Sequence, residues 1–149
     1  MHALTSLFSQ RIGLLLLRVT TAGLIFWWGL VKGLNTGAGT AVSNKYYGGM
    51  FSQETLLILF GWAQVLLAVL VALGLFRVFT LPLQLLINAF VAVAIWQSFV
   101  DPFWLWMAGD KPETLNALFY PSIIVVAACW VLIAFRHHDT IALDALRRT

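Results

Sequence analysis

The sequence predicts an all-α membrane protein, an antiparallel bundle of four transmembrane helices with both termini in the cytoplasm. Composition is the first observation behind that class. Of 149 residues, 61% are hydrophobic and 10% charged, whereas a soluble domain carries about 25% charged residues because something must face water. The second is segmentation: the apolar residues gather into four stretches, each near the ~20 residues needed to cross a bilayer. The third is the uneven placement of Lys and Arg between the ends of those stretches. A net charge of +3 is spread between apolar runs and forms no basic groove, which argues against nucleic-acid binding.

The first span covers 12–34. Although "LLLL" follows Arg11, Arg18 interrupts that run and apolar sequence continues through "LIFWWGLV". A retained helix is therefore expected rather than a cleaved signal peptide, whose apolar region is shorter. The stretch "NTGAGTAVSNKYYGG" is rich in Gly, Ser, Thr and Asn and reads as a loop. Ser52 is placed to cap the second span, 56–76, with Glu54 in its first turn. Arg77 and its neighbours leave room only for a tight antiparallel connection to the third span, 78–100. In "DKPETL", Asp110, Pro112 and Glu113 form a helix-start signal ahead of the fourth span, 115–135, which Pro121 is expected to bend. Trp104, Trp106, Tyr46 and Tyr47 suit an interfacial aromatic belt. The tail, 136–149, is expected in the cytoplasm; its "DTIALDALRRT" places Ile141, Ala142, Ala145 and Leu146 toward one side and reads as a short amphipathic helix on the membrane surface.

Orientation follows from short-loop cations. One side collects Arg11, Arg18, Arg77, Arg136, Arg147 and Arg148; the other has Lys32, Lys45 and Lys111. The richer side, which carries both termini, is expected to face the cytoplasm. The chain reads as one domain.

Inside lipid, helices associate through small residues and polar side chains. The first span offers Gly29 and Gly33; the second Gly61, Gln64, Ala68 and Ala72; the third Gln84, Asn88 and Ala92, with Trp96 a turn later; the fourth Ser122 and Cys129. Gln64, Gln84 and Asn88 are expected to face the interior, either as interhelical hydrogen-bond partners or as the wall of a pocket. Arg18 has two readings as well. It snorkels to lipid phosphates, or it turns inward, where no span supplies a carboxylate and it must find amides, carbonyls or an oxygen-rich ligand. Lys32, within a turn of the outer end, reads as snorkelling. "RHHD", 136–139, reads as a solvated membrane-edge segment rather than a metal site. The single cysteine, Cys129, leaves no intrachain disulfide. No nucleophile triad, phosphate loop or haem motif is present.

Taken in order, "LLLRVTTAGLIFWWGLVKGLN" and "LFGWAQVLLAVLVALGLFRVFTLPLQLLINAF" resemble the DoxX family of four-helix bacterial inner-membrane proteins. Arg18, the "GLVK" of Gly29 to Lys32 and the "GLFR" of Gly74 to Arg77 carry the likeness, which extends over residues 10–136. The family takes its name from the small subunit of an archaeal thiosulfate:quinone oxidoreductase. Where the family often has an acidic residue in its second helix, this chain has Gln64.

The resemblance implies a small membrane subunit of a redox system that binds a quinone or similar ligand between its helices. The pocket residues expected for it are Arg18, Gln64, Gln84, Asn88 and Trp96, the arginine and amides holding carbonyl oxygens and the tryptophan stacking. Electron transfer would then need a bound cofactor or a partner, a membrane or periplasmic protein; a homo-oligomer is a further expectation. The alternatives are a membrane anchor or assembly factor working through "NKYYGGMF" and "DPFWLWMAGD", and a small transporter.

Overall fold

The computed structural model describes residues 2–46, 48–49, 52–101 and 121–147. Among the described residues every regular element is helical: α1 (His2–Leu34), α2 (Thr36–Tyr46), α3 (Glu54–Leu73), α4 (Arg77–Ala94), α5 (Gln97–Val100), α6 (Pro121–Ala134) and α7 (Leu143–Leu146). Three stretches, Phe8–Leu34, Glu54–Leu73 and Arg77–Ala94, are long and apolar enough to cross a membrane. Their outward faces carry exposed Leu66, Phe79, Leu86 and Val93, side chains that suit acyl chains.

The expected loop after the first span is instead largely helix. Asn35 closes α1 with its N–H on the Val31 carbonyl (2.9 Å). Its side-chain Oδ1 then accepts the Ala38 N–H (3.1 Å), opening α2 as a capping residue does. Composition suggested a loop because Gly and Ser are weak helix formers. Here the small residues let α2 lie close: a side chain at Gly39 would press on Leu57 at 3.1 Å, and Ser43 is buried. Ser52 does not cap α3. Its hydroxyl bonds Asn44 Oδ1 (2.6 Å), while Gln53 occupies the cap position without a side-chain bond.

The turn into α4 is as tight as expected. Gly74 sits at φ 71°; its N–H reaches the Val71 carbonyl and the Leu75 N–H that of Leu70, both at 2.9 Å, the paired bonds of a Schellman ending. Phe76 is also left-handed, at φ 53°, a conformation that costs a non-glycine residue roughly 1–2 kcal/mol. Thr80 steadies it, its hydroxyl donating to the carbonyls of Leu75 (3.0 Å) and Phe76 (3.2 Å). The third span ends earlier than expected. α4 stops at Ala94, and a turn at Ile95 and Trp96 precedes the short α5. For the fourth span, α6 is described from Pro121; residues 115–120, the "DKPETL" start signal and the tryptophans at 104 and 106 lie outside the described residues.

α1 and α3 run antiparallel in close backbone contact. A Cβ on Gly29 would stand 2.7 Å from the Gly61 carbonyl oxygen, and one on Gly61 would meet both the Gly29 oxygen and the Gly33 nitrogen at 2.7 Å. The glycines anticipated as packing residues thus face one another. α4 and α6 are also antiparallel: Arg77 meets Arg136, and Asn88 meets Cys129. Leu14, Ala22, Leu67, Val71, Leu81 and Leu132 form the buried cluster where the helices converge.

Candidate functional site

Two polar constructions occupy opposite ends of the helices. At the end where α3 turns into α4, Arg18 is 1% exposed, so it does not snorkel. It does have a carboxylate partner, and the expectation that none was within reach is corrected. Asp139, itself 3% exposed, comes from the tail and places Oδ2 3.3 Å from Arg18 Nε. Burial there overturns the reading of "RHHD" as wholly solvated. The guanidinium fits because residue 74 is glycine: a Cβ there would overlap Arg18 Nη1 and the Ala142 side chain.

Arg77 continues the network. Its Nη1 lies 3.6 Å from Asp139 Oδ2 and donates to the carbonyls of Arg136 (2.7 Å) and Asp139 (2.8 Å). Asp144 completes it by accepting the Arg77 backbone N–H on Oδ2 (2.8 Å), while its own N–H bonds the Gly74 carbonyl (3.1 Å). The tail therefore caps α4 and grips the end of α3 at once. Among the described tail residues only Leu143–Leu146 is helical, and Ala142 is fully buried while Ile141 and Leu146 are exposed. The tail thus docks on the protein, in place of the amphipathic stripe expected from its sequence.

At the other end, Lys32 turns inward. Its Nζ donates to Gln64 Oε1 at 2.8 Å, reaches the Trp28 carbonyl at 3.5 Å, and lies 5.6 Å from the Trp28 ring and 5.5 Å from the Phe60 ring. These contacts replace the snorkelling read from its position, because the Gly29–Gly61 approach leaves the Lys32 stem against α3. Lys32 and Gln64 line two adjoining cavities, one of about 350 Å³ and one of about 80 Å³, which also share Val42, Ile87 and Val91. Asn88 and Ser122 lie on the smaller. The larger is walled partly by Leu56, Phe60, Leu86 and Phe90, all exposed on the outer surface. Its mouth therefore faces sideways between α3 and α4.

The residues expected to form one pocket are divided. Gln64 and Asn88 meet at the cavities. Arg18 belongs to the ion network at the far end. Gln84 is fully buried, with neither side-chain amide atom hydrogen-bonded among the described residues, and Asn88 Nδ2 bonds its backbone carbonyl (2.9 Å). It lies outside both linings. Trp96 is 48% exposed and also lies outside them; the neighbouring Ile95 lines the smaller cavity. The aromatic groups beside the polar pair are Trp28 and Phe60. Lys32 reads as snorkelling from sequence because position along a helix says how deep a residue sits, not which way it faces.

A primary ammonium beside a carboxamide, in an otherwise apolar slot, is equipped to donate hydrogen bonds to a carbonyl or anionic oxygen. No protein-family model matches this sequence, and no similar curated protein or solved structure was found.

Proposed function

We propose that this chain is a four-span protein of a bacterial inner membrane, with both termini cytoplasmic, that binds a quinone or a similar carbonyl-bearing lipid in the cavity beside Lys32 and Gln64. In this reading it is a small DoxX-like membrane subunit of a redox system. The observation that carries the proposal is the inward Lys32–Gln64 pair, 2.8 Å apart, in an apolar cavity of about 350 Å³. Volumes of roughly 300–1,000 Å³ are usual for small-molecule pockets.

Lys32 would donate to one ligand oxygen, and the Gln64 carboxamide, held by the lysine through its Oε1, keeps its N–H₂ group for another. Asn88 lies on the adjoining smaller cavity. Trp28 and Phe60 provide flat apolar surface for a ring. The exposed side chains at the mouth admit a ligand dissolved in the bilayer and leave its hydrocarbon tail among lipids. A bound quinone would supply two-electron, two-proton carrier chemistry; this chain's residues would position it and keep its oxygens paired. Six Arg on one side against three Lys on the other support the proposed orientation.

The test is mass spectrometry of the protein purified in mild detergent, followed by titration with a short-tailed ubiquinone analogue. Lys32→Met and Gln64→Leu are each expected to weaken binding about 10- to 100-fold, the range for losing a hydrogen bond to a charged group. Arg18→Gln, if folded, should bind normally. Wild-type protein that neither carries nor takes up a quinone would overturn the assignment.

A further inference from the structure

The tail end of the helices has surface cavities separate from the Lys32 site. One, of about 150 Å³, is lined by Arg77, Val78, Arg136, His137 and Asp144. The other, of about 260 Å³, is lined by Phe76, Val78, Phe79, Asp144 and Arg147. They share Val78 and Asp144, so they adjoin. We propose that together they form a binding site for one anionic phospholipid, its phosphate between Arg136, His137 and Arg147 and its acyl chains along Val78 and Phe79.

Charge supports this occupant. Arg18, Arg77, Arg136 and Arg147 set four guanidinium groups against the two carboxylates of Asp139 and Asp144, an excess of two positive charges. Both carboxylates are engaged from within. Asp139 stands between Arg18 and Arg77, and Asp144 accepts the Arg77 N–H and lies 3.9 Å from Arg77 Nε. Arg136 and Arg147 have no carboxylate in ion-pair range among the described residues. Arg136 instead directs Nε at His137 Nε2 (3.3 Å). The excess charge therefore resides on the groups at the rim, where a phosphodiester would be paired by charge-assisted hydrogen bonds.

Apolar surface supports it too. Phe76, Val78 and Phe79 are 58%, 52% and 75% exposed, the first just before the apolar helix α4 and the other two in its first turn. A site with cations at the end of a membrane-length helix and bare aromatics just below them matches an amphiphile with an anionic head. Free phosphate would use only the upper half. Either leaflet would serve, so the site is independent of the orientation proposed above and of the ligand in the other cavity.

The full chain, purified in neutral detergent and stripped of lipid, is to be titrated with dioleoylphosphatidylglycerol, dioleoylphosphatidylcholine or inorganic phosphate. Thermal unfolding and native mass spectrometry provide the readouts. The phosphatidylglycerol is expected to raise Tm and to remain bound in one copy, while the other two do neither. Arg136→Gln combined with Arg147→Gln should weaken its binding by roughly tenfold or more, with the lipid-free Tm verifying the fold and the single variants replacing the pair if it fails. Arg11→Gln, an exposed cation outside both linings, should bind as wild type. Equal binding of phosphatidylcholine, an equal response to inorganic phosphate, or equal loss in Arg11→Gln would each overturn the site.

Discussion

Arg18 has an ionic partner whose removal leaves its charge buried. Asp139 supplies the carboxylate at 3.3 Å, and both side chains are almost wholly enclosed. Breaking a buried ion pair from one side costs about 3–5 kcal/mol, whereas replacing both members by apolar groups is often neutral. Asp139→Asn is therefore expected to lower the melting temperature strongly, and Arg18→Met with Asp139→Leu to be milder than the two single losses combined. A double-mutant cycle in detergent measures that coupling; strictly additive losses would refute it. The inward turn of Arg18 is one reading its sequence allowed, and burial of Gln64, Gln84 and Asn88 followed from their place on small-residue seams. The partner was not legible, because Asp139 lies beyond the last span and reaches Arg18 only when the tail folds back.

The α1–α3 contact makes a sharper claim at the level of the helix. Gly29 and Gly61 meet backbone to backbone, and backbone cannot step aside as a flexible side chain can. Gly29→Ala should destabilise by about 1–3 kcal/mol, the usual cost of overpacking. Gly23→Ala, with nothing within 4 Å of its added methyl, should stabilise by roughly 0.5–1 kcal/mol through helix propensity. Thermal unfolding of the two variants in the same detergent decides; equal effects would mean that the close approach does not govern packing. GxxxG spacing made this contact legible. α2 was misread because its composition matches both a loop and a helix of small residues nested against larger neighbours, and only the neighbours distinguish them.

For the molecule as a whole, the tail joins three elements. Residues 139–144 reach Arg18 on α1, Gly74 after α3 and Arg77 on α4. Deleting 136–149 should lower stability by more than Asp139→Asn alone, since the deletion also removes the Asp144 cap on α4; equal losses would show that Asp144 contributes nothing. The proposed orientation puts both chain ends on one side. In a Cys129→Ala background, cysteines introduced at Thr5 and Thr149 should react with a membrane-impermeant thiol reagent only after the cells are opened. Labelling of either in intact spheroplasts would defeat the orientation.

By itself the sequence determined the helical class, three apolar stretches of membrane-crossing length, the tight turn before Arg77 and the burial of Gln64, Gln84 and Asn88. Those properties follow from composition and from periodicity along one helix. The tertiary structure alone decided that Arg18 meets a carboxylate, that Lys32 meets Gln64, and that Trp96 stands apart from the cavity. The first depends on the tail folding back onto α1, the second on how closely α1 and α3 approach at Gly29 and Gly61, and the third on where α4 ends.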